Sequence, residues 1–145
     1  MRRLLASAAL LASLAGAGCG SNTTTSPTTT TTTAVTTSSE LFTGTLSPRG
    51  SAFYSFGVTT GGTVSVTLVS VTTSRIGPAG TAPLAIGFGI PSGFGCTVSS
   101  GVDATPGLMS QLAATGSASG IYCINVADVA GLSGDTLFVL RIVHT

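Results

Sequence analysis

The chain has 145 residues, a length typical of one domain, and only 6% of its residues are charged. Soluble domains usually carry about 25% charged residues, and this chain contains no lysine. Nucleic-acid binding and electrostatic attachment to anionic lipid both depend on clustered Lys and Arg. The composition therefore argues against both of these partners.

The N-terminal segment has the three parts of a secretory signal peptide. A basic start at residues 1–3 precedes an apolar run at 4–14 and small residues at 15–18. The run is shorter than the roughly 20 apolar residues that cross a bilayer. One interpretation is cleavage before Gly18 by an ordinary signal peptidase, which prefers small residues such as Ala15 and Ala17 near the cut.

The second interpretation depends on Cys19. The stretch "GAGC" at 16–19 resembles the bacterial lipobox, although Gly16 stands where that motif usually has leucine. The resemblance implies cleavage before Cys19 and attachment of lipid to it. The chain has three cysteines, and an odd count in an exported protein leaves one thiol over. We therefore predict that Cys19 is lipidated and that the protein lies in the bacterial cell envelope. Because Gly20 and not Asp follows the cysteine, we expect the outer membrane. The alternative is secretion without lipid.

A tract of Thr and Ser follows the cysteine. It has no periodicity and no large apolar side chain, so it cannot bury enough surface to offset the entropy lost on ordering. We predict an extended, disordered tether. The chain then divides into a signal peptide at 1–18, a tether at 19–38 and a folded domain at 39–145. After removal of the signal peptide the formal net charge is −1, from three arginines and four carboxylates.

Beyond residue 40, apolar and polar residues alternate, which is typical of half-buried strands. Thr59, Thr60, Gly61 and Gly62 predict a hairpin turn between the second and third strands. Shorter strands are expected near 41–46, 96–98 and 108–113. The predicted inward faces are Ala52, Tyr54, Phe56 and Val58; Val64, Val66 and Leu68; Leu84, Ile86, Phe88 and Ile90; Tyr122, Ile124 and Val126; and Phe138, Leu140 and Ile142.

Many short strands separated by Gly and Pro predict an all-β sandwich or barrel. The stretches "FTGTLSPRGSAFYSFGV", "GGTVSVTL" and "GIYCINV" resemble the bacterial pre-peptidase C-terminal domain. That resemblance covers most of residues 40–145. It implies a jelly-roll-like antiparallel β-sandwich of about eight strands that serves as an accessory module. Some of these relatives bind matrix proteins with calcium, but the fourth strand here, "APLAIGFG", lacks the family's acidic residues.

Few residues are suited to catalysis or metal binding. His144 is the only histidine, and near the end of a terminal strand we expect it to be solvated, so no catalytic residue is predicted. Asp103, Asp128 and Asp135 are scattered and are interpreted as turn formers, with a calcium site as the alternative. We predict no metal and no cofactor.

Cys96 and Cys123 are the cysteines that remain once Cys19 is assigned. Export permits a disulfide between them, and two buried free thiols are the alternative. The function predicted from the sequence is a non-catalytic, lipid-anchored binding or accessory module, with an extracellular glycan or protein as its partner. A purely structural envelope component is the competing interpretation.

Overall fold

The computed structural model describes residues 36–73 and 80–145, which form eight antiparallel strands and no helix. Cys19, the signal peptide and most of the tether lie outside the described residues. In chain order the strands are β1 (Ser38–Leu46), β2 (Ser51–Val58), β3 (Gly62–Thr72), β4 (Leu84–Ser92), β5 (Gly95–Ala104), β6 (Leu112–Gly116), β7 (Gly120–Asp128) and β8 (Thr136–His144).

The strands form two four-stranded sheets, with the orders β1-β8-β3-β6 and β2-β7-β4-β5. These are the strand orders of a jelly roll, in which two Greek keys wrap around each other and consecutive strands often change sheet. The predicted fold class, an all-β jelly-roll-like sandwich, is confirmed.

The core lies between the sheets and is built by the alternation seen in the sequence. Val64, Val66 and Leu68 of β3 are fully buried, as are Ile124 and Val126 of β7. Phe138, Leu140 and Ile142 of β8, which pairs with β3 in the same sheet, are buried with them. The buried apolar residues of the two sheets form one cluster, so the sandwich has a single core.

The predicted hairpin at Thr59–Gly62 is wrong. β2 pairs with β7, whereas β3 pairs with β8 and β6, so the residues between β2 and β3 carry the chain from one sheet to the other. Short glycine-containing turns serve both connections, and local sequence does not distinguish them. The predicted strand at 108–113 is also displaced, because β6 begins at Leu112 and Leu108 is exposed.

One residue that was predicted to be on a buried face is exposed in the structure. Ile90 has the same parity as Leu84, Ile86 and Phe88 but is 62% exposed. The pairing of β4 with β7 ends at Gly89, opposite Cys123. Beyond Gly89 the β4–β5 hairpin extends past its neighbouring strand, so nothing covers Ile90. Alternation therefore identified the face of this residue but not its burial.

The register also determines which loops share an end of the sandwich. We call one end the entry end; it holds the start of β1, the connections at 59–61 and 117–119, the turn at 93–94 and the end of β8. The opposite end, the far end, holds the connections at 47–50 and 129–135. The connection at 105–111 starts there and runs back beside β3, where the Gly107 and Gln111 N–H groups donate to the Leu68 and Val66 carbonyl oxygens.

Candidate functional site

The most distinctive surface lies on the outer face of the β2-β7-β4-β5 sheet. In one row across the sheet, Phe53 of β2 pairs with Asn125 of β7, Asn125 with Gly87 of β4, and Gly87 with Gly101 of β5. Partners in register project to the same face. The row therefore has an aromatic ring and an amide at one side and a floor without side chains at the other.

An open cleft of about 380 Å³ lies over this floor. Its volume is within the range of about 300–1,000 Å³ that is common for small-ligand sites. The residues that line it are Ala85, Ile86, Gly87, Val98, Gly101, Val102, Asp103 and Asn125.

Glycine is required on the floor because neighbouring groups occupy the space of a side chain. A Cβ at Gly87 would lie 2.7 Å from both methyl carbons of Val98, and one at Gly101 would lie 3.0 Å from the Ile86 carbonyl oxygen. Val98 therefore leans over Gly87 and forms a wall of the cleft. Alanine at either position would push β5 outward or fill the cleft.

The path of β5 shapes the other boundary. A bulge at Ser99 shifts the register between β4 and β5, and the Ser99 hydroxyl donates to the Phe88 carbonyl oxygen over 3.2 Å. A Cβ at Gly89 would overlap the Thr97 carbonyl oxygen, so β5 crosses directly over the outer surface of β4 there.

This crossing explains the cysteine pair. Cys96 of β5 and Cys123 of β7 lie on opposite sides of β4 in the sheet order. Strands two apart in a flat sheet are separated by about 9.6 Å, yet the two Cα atoms are 5.9 Å apart and the sulfurs 2.03 Å. The structure thus brings the pair to disulfide-bonding distance because β5 folds over Gly89.

Two polar side chains converge on the cleft. The Asn125 amide offers donors and acceptors, and the Asp103 carboxylate offers acceptors only. Neither side chain takes part in the hydrogen bonds that the described residues form with one another. Both groups are therefore available to a ligand. Phe53, which is 39% exposed, lies next to Asn125 on the neighbouring strand.

The other predicted aspartates have different surroundings. The Asp128 carboxylate accepts hydrogen bonds from four backbone N–H groups, so it is a turn former as predicted. Asp135 is exposed in the connection before β8. Within residues 36–73 and 80–145, no three His, Cys, Asp or Glu side chains come together in a way that could hold a metal ion.

The prediction that His144 is solvated is wrong. Its side chain is 4% exposed, and the centroid of its ring lies 5.2 Å from that of Phe56, with the two rings tilted by 39°. Its Nε2 atom lies 2.8 Å from a Glu40 carboxylate oxygen. β1 and β8 pair along their whole length, and this pairing brings Glu40 beside His144. A position near the chain terminus gave no indication of this burial.

No family model and no curated protein matches this chain. In the described part of the chain no helix is long and apolar enough to span a membrane.

The sequence indicated the members of the cleft only in part. Alternation placed Phe53 and Asn125 on the side away from the core, and Asp103 was considered only as a turn former or calcium ligand. Their proximity depends on the order β2-β7-β4-β5, which joins strands far apart in the chain. The one local signal was the glycine content of "IGFGI", which permits close approach of a neighbouring strand.

Proposed function

We propose that this chain is a non-catalytic, lipid-anchored module of the bacterial cell envelope that binds a neutral glycan in the outer-face cleft. The observation that carries the proposal is the convergence of Asn125 and Asp103 on a glycine-floored cleft, with Phe53 next to Asn125 in the same row of the sheet. A binding role for the fold also agrees with the accessory function that the pre-peptidase C-terminal resemblance implies. The anchor is the lipid predicted at Cys19.

The chemistry of the cleft favours a polyhydroxylated ligand. A carboxylate and an amide together accept and donate hydrogen bonds to adjacent hydroxyl groups. An exposed aromatic ring offers an apolar surface on which the C–H face of a sugar ring can pack. Open sites of this kind need few polar groups when those groups are correctly placed.

The charge of the cleft selects against acidic ligands. Among the residues that the structure describes, Asp103 is the only charged one that lines it. The arginines among the described residues lie elsewhere, Arg49 between β1 and β2 and Arg141 in the other sheet. An acidic sugar or a phosphate would meet the Asp103 carboxylate without a compensating cation, so we expect neutral glycans to be preferred.

The non-catalytic assignment is supported by the surroundings of the single histidine. His144 is buried against Phe56 and Glu40, in strand β8 of the other sheet, and it does not line the cleft. Among the described residues, Asp103 is the one titratable side chain that lines the cleft, whereas glycoside hydrolysis ordinarily uses a pair of carboxylates.

The test is a binding screen with residues 36–145, which contain the whole core. Neutral oligosaccharides, acidic oligosaccharides and extended peptides are compared by isothermal titration calorimetry. We expect binding of a neutral glycan, and a loss of about tenfold or more in affinity for Asn125→Ala and for Asp103→Asn, because each removes a hydrogen bond to the ligand.

Asp135→Asn is the matched control for Asp103→Asn, since it removes an equal charge outside the cleft. Its affinity should equal that of the unsubstituted protein. Binding of acidic glycans or peptides alone would contradict the proposal. Absence of any glycan binding would favour the purely structural envelope role.

A further inference from the structure

The turn between β4 and β5 presents an unusual apolar tip at the entry end. Phe94 is fully exposed at the turn, and Ile90 is 62% exposed on the same hairpin. Ile121, at the start of β7 and also at this end, is 60% exposed. Single exposed apolar residues are ordinary. Here a fully exposed aromatic ring forms the point of a hairpin, and Ile90 and Ile121 are exposed on opposite faces of the same sheet at this end, which is typical of an interaction surface.

The tip is held in place before any partner arrives. Ser92 pairs with Gly95, which leaves a two-residue turn, and Gly93 takes the positive φ of 56° that the first central position of a II′ turn requires. Two residues after Phe94, Cys96 is joined to Cys123 of β7. Contact through Phe94 therefore requires little ordering of the backbone, which lowers the entropic cost of binding.

Charged groups are concentrated away from this tip. Among the described side chains, the charged groups nearest the entry end are Glu40, which is paired with His144, and Arg141, whose guanidinium donates to the Leu108 carbonyl oxygen. Arg49, Asp103, Asp128 and Asp135 lie at or next to the far end. The connections that flank the tip, 59–61 and 117–119, consist of Thr, Gly, Ser and Ala. An apolar environment can therefore receive the tip without desolvating a charge.

The chain also enters the sandwich at this end, because β1 begins there at Ser38. Eighteen residues separate Cys19 from Ser38, and they can span at most about 65 Å. A domain attached at this end is kept near the bilayer at high effective concentration, so a weak affinity of its tip for lipid is sufficient.

From these placements we propose that Phe94 inserts into the interfacial region of the bilayer that carries the lipid anchor. The proposal rests on the anchor at Cys19 described above. Phenylalanine is among the side chains that membrane-surface segments bury at the boundary between headgroups and acyl chains. A domain without lysine has few cations to attract anionic headgroups, so its contact with lipid depends on apolar side chains. Insertion would stand the sandwich on its entry end and leave the cleft open at the side.

The protein contains no tryptophan, so Phe94→Trp introduces a single fluorescent reporter at the tip. The chain from Cys19 onward, which keeps the whole sandwich, is coupled through the Cys19 thiol to maleimide lipid in phosphatidylcholine vesicles. We expect the emission to shift to shorter wavelength and to be quenched by lipids brominated on the acyl chains.

Val129→Trp is the matched control, because Val129 is 51% exposed in the connection between β7 and β8 at the far end. Its emission should be the same with and without brominated lipid. Circular dichroism of both variants verifies that the strands remain.

Equal emission from the two variants, with no quenching at either position, would overturn the proposal. The proposal would also be overturned if the emission of Phe94→Trp shifted only at high protein density and the uncoupled chain formed dimers that Phe94→Ser abolished. That result would assign the tip to contact with a second copy of the chain. Chemical coupling does not depend on natural lipidation. If the tip is quenched in the coupled protein but the natural protein carries no fatty acid, the anchor at Cys19 is refuted. The affinity of the tip for lipid is then still established.

Discussion

The Asp128 carboxylate connects two loops at the far end. Its Oδ2 atom accepts hydrogen bonds from the Arg49 and Leu132 backbone N–H groups at 2.8 and 2.9 Å, and Oδ1 accepts those of Ala130 and Gly131 at 3.1 and 2.9 Å. Arg49 has φ of 60°, a conformation that costs energy for a residue with a side chain. The bond to Asp128 helps to hold Arg49 there.

These hydrogen bonds favour the charged carboxylate. The backbone N–H of Arg49 has the largest effect, and together the bonds lower the pKa of Asp128 below its usual value of 3.8. Because the pKa in the folded protein is lower than in the unfolded chain, the stabilisation is complete above the unfolded value. It is lost as the pH falls through the folded value.

Asp128→Asn should therefore lower the melting temperature at pH 7, and the difference from the unsubstituted protein should shrink as the pH is lowered toward about 2. Differential scanning calorimetry across this range measures the effect. Asp135→Asn, which removes an exposed carboxylate from the same connection, should change the melting temperature little at any pH. A constant difference for Asp128→Asn down to the acid limit would show that its charge is not responsible.

At the scale of the element, β5 is the strand that makes the cleft. Its bulge at Ser99 and its passage over Gly89 turn Val98 toward the floor and bring Cys96 within reach of β7. The cleft and the cysteine pair thus depend on the same displacement of one edge strand. Bulges at sheet edges often re-aim side chains in this way.

Breaking the cross-link should lower the free energy of unfolding by about 3.6 kcal/mol, the chain-entropy value for a loop closed over a separation of 27 residues. Cys96→Ala, Cys123→Ala and the double variant should cost about the same, because either substitution removes the whole link. Denaturant unfolding measures these values. Two free thiols in the oxidised protein, found by thiol titration, would contradict the link.

At the scale of the whole molecule, the jelly roll separates its two candidate surfaces. The cleft occupies the outer face of one sheet, and the apolar tip occupies the entry end, where the N-terminal segment joins β1. A protein held by its N-terminus can therefore contact lipid with one surface while the other stays open to a ligand.

The anchor itself is tested by Cys19→Ser in the full chain. We expect the variant to leave the membrane fraction and to incorporate no labelled fatty acid, because two or more acyl chains hold a protein stably on a bilayer and their removal leaves only weak contacts. Fractionation and metabolic labelling measure this. An intact mass that corresponds to cleavage before Gly18, with no lipid, would establish secretion instead.

The alternation of apolar and polar residues was enough to predict most strands and most of their faces. Val64, Val66 and Leu68, or Tyr122, Ile124 and Val126, are buried as their period-2 spacing predicts. The direction of a side chain is a local property, because successive side chains of any strand project to opposite sides whichever strand lies next to it. For the same reason the class of fold was predictable.

The tertiary structure alone decided which strands pair. The same turn chemistry at 59–62 suits a hairpin or a crossing between sheets, and only the docking of β3 on β8 selects the crossing. The burial of His144, the exposure of Ile90 and the meeting of Asn125 with Asp103 all follow from such long-range pairings. Alternation specifies which way a side chain points, but what it meets depends on residues far away in the chain.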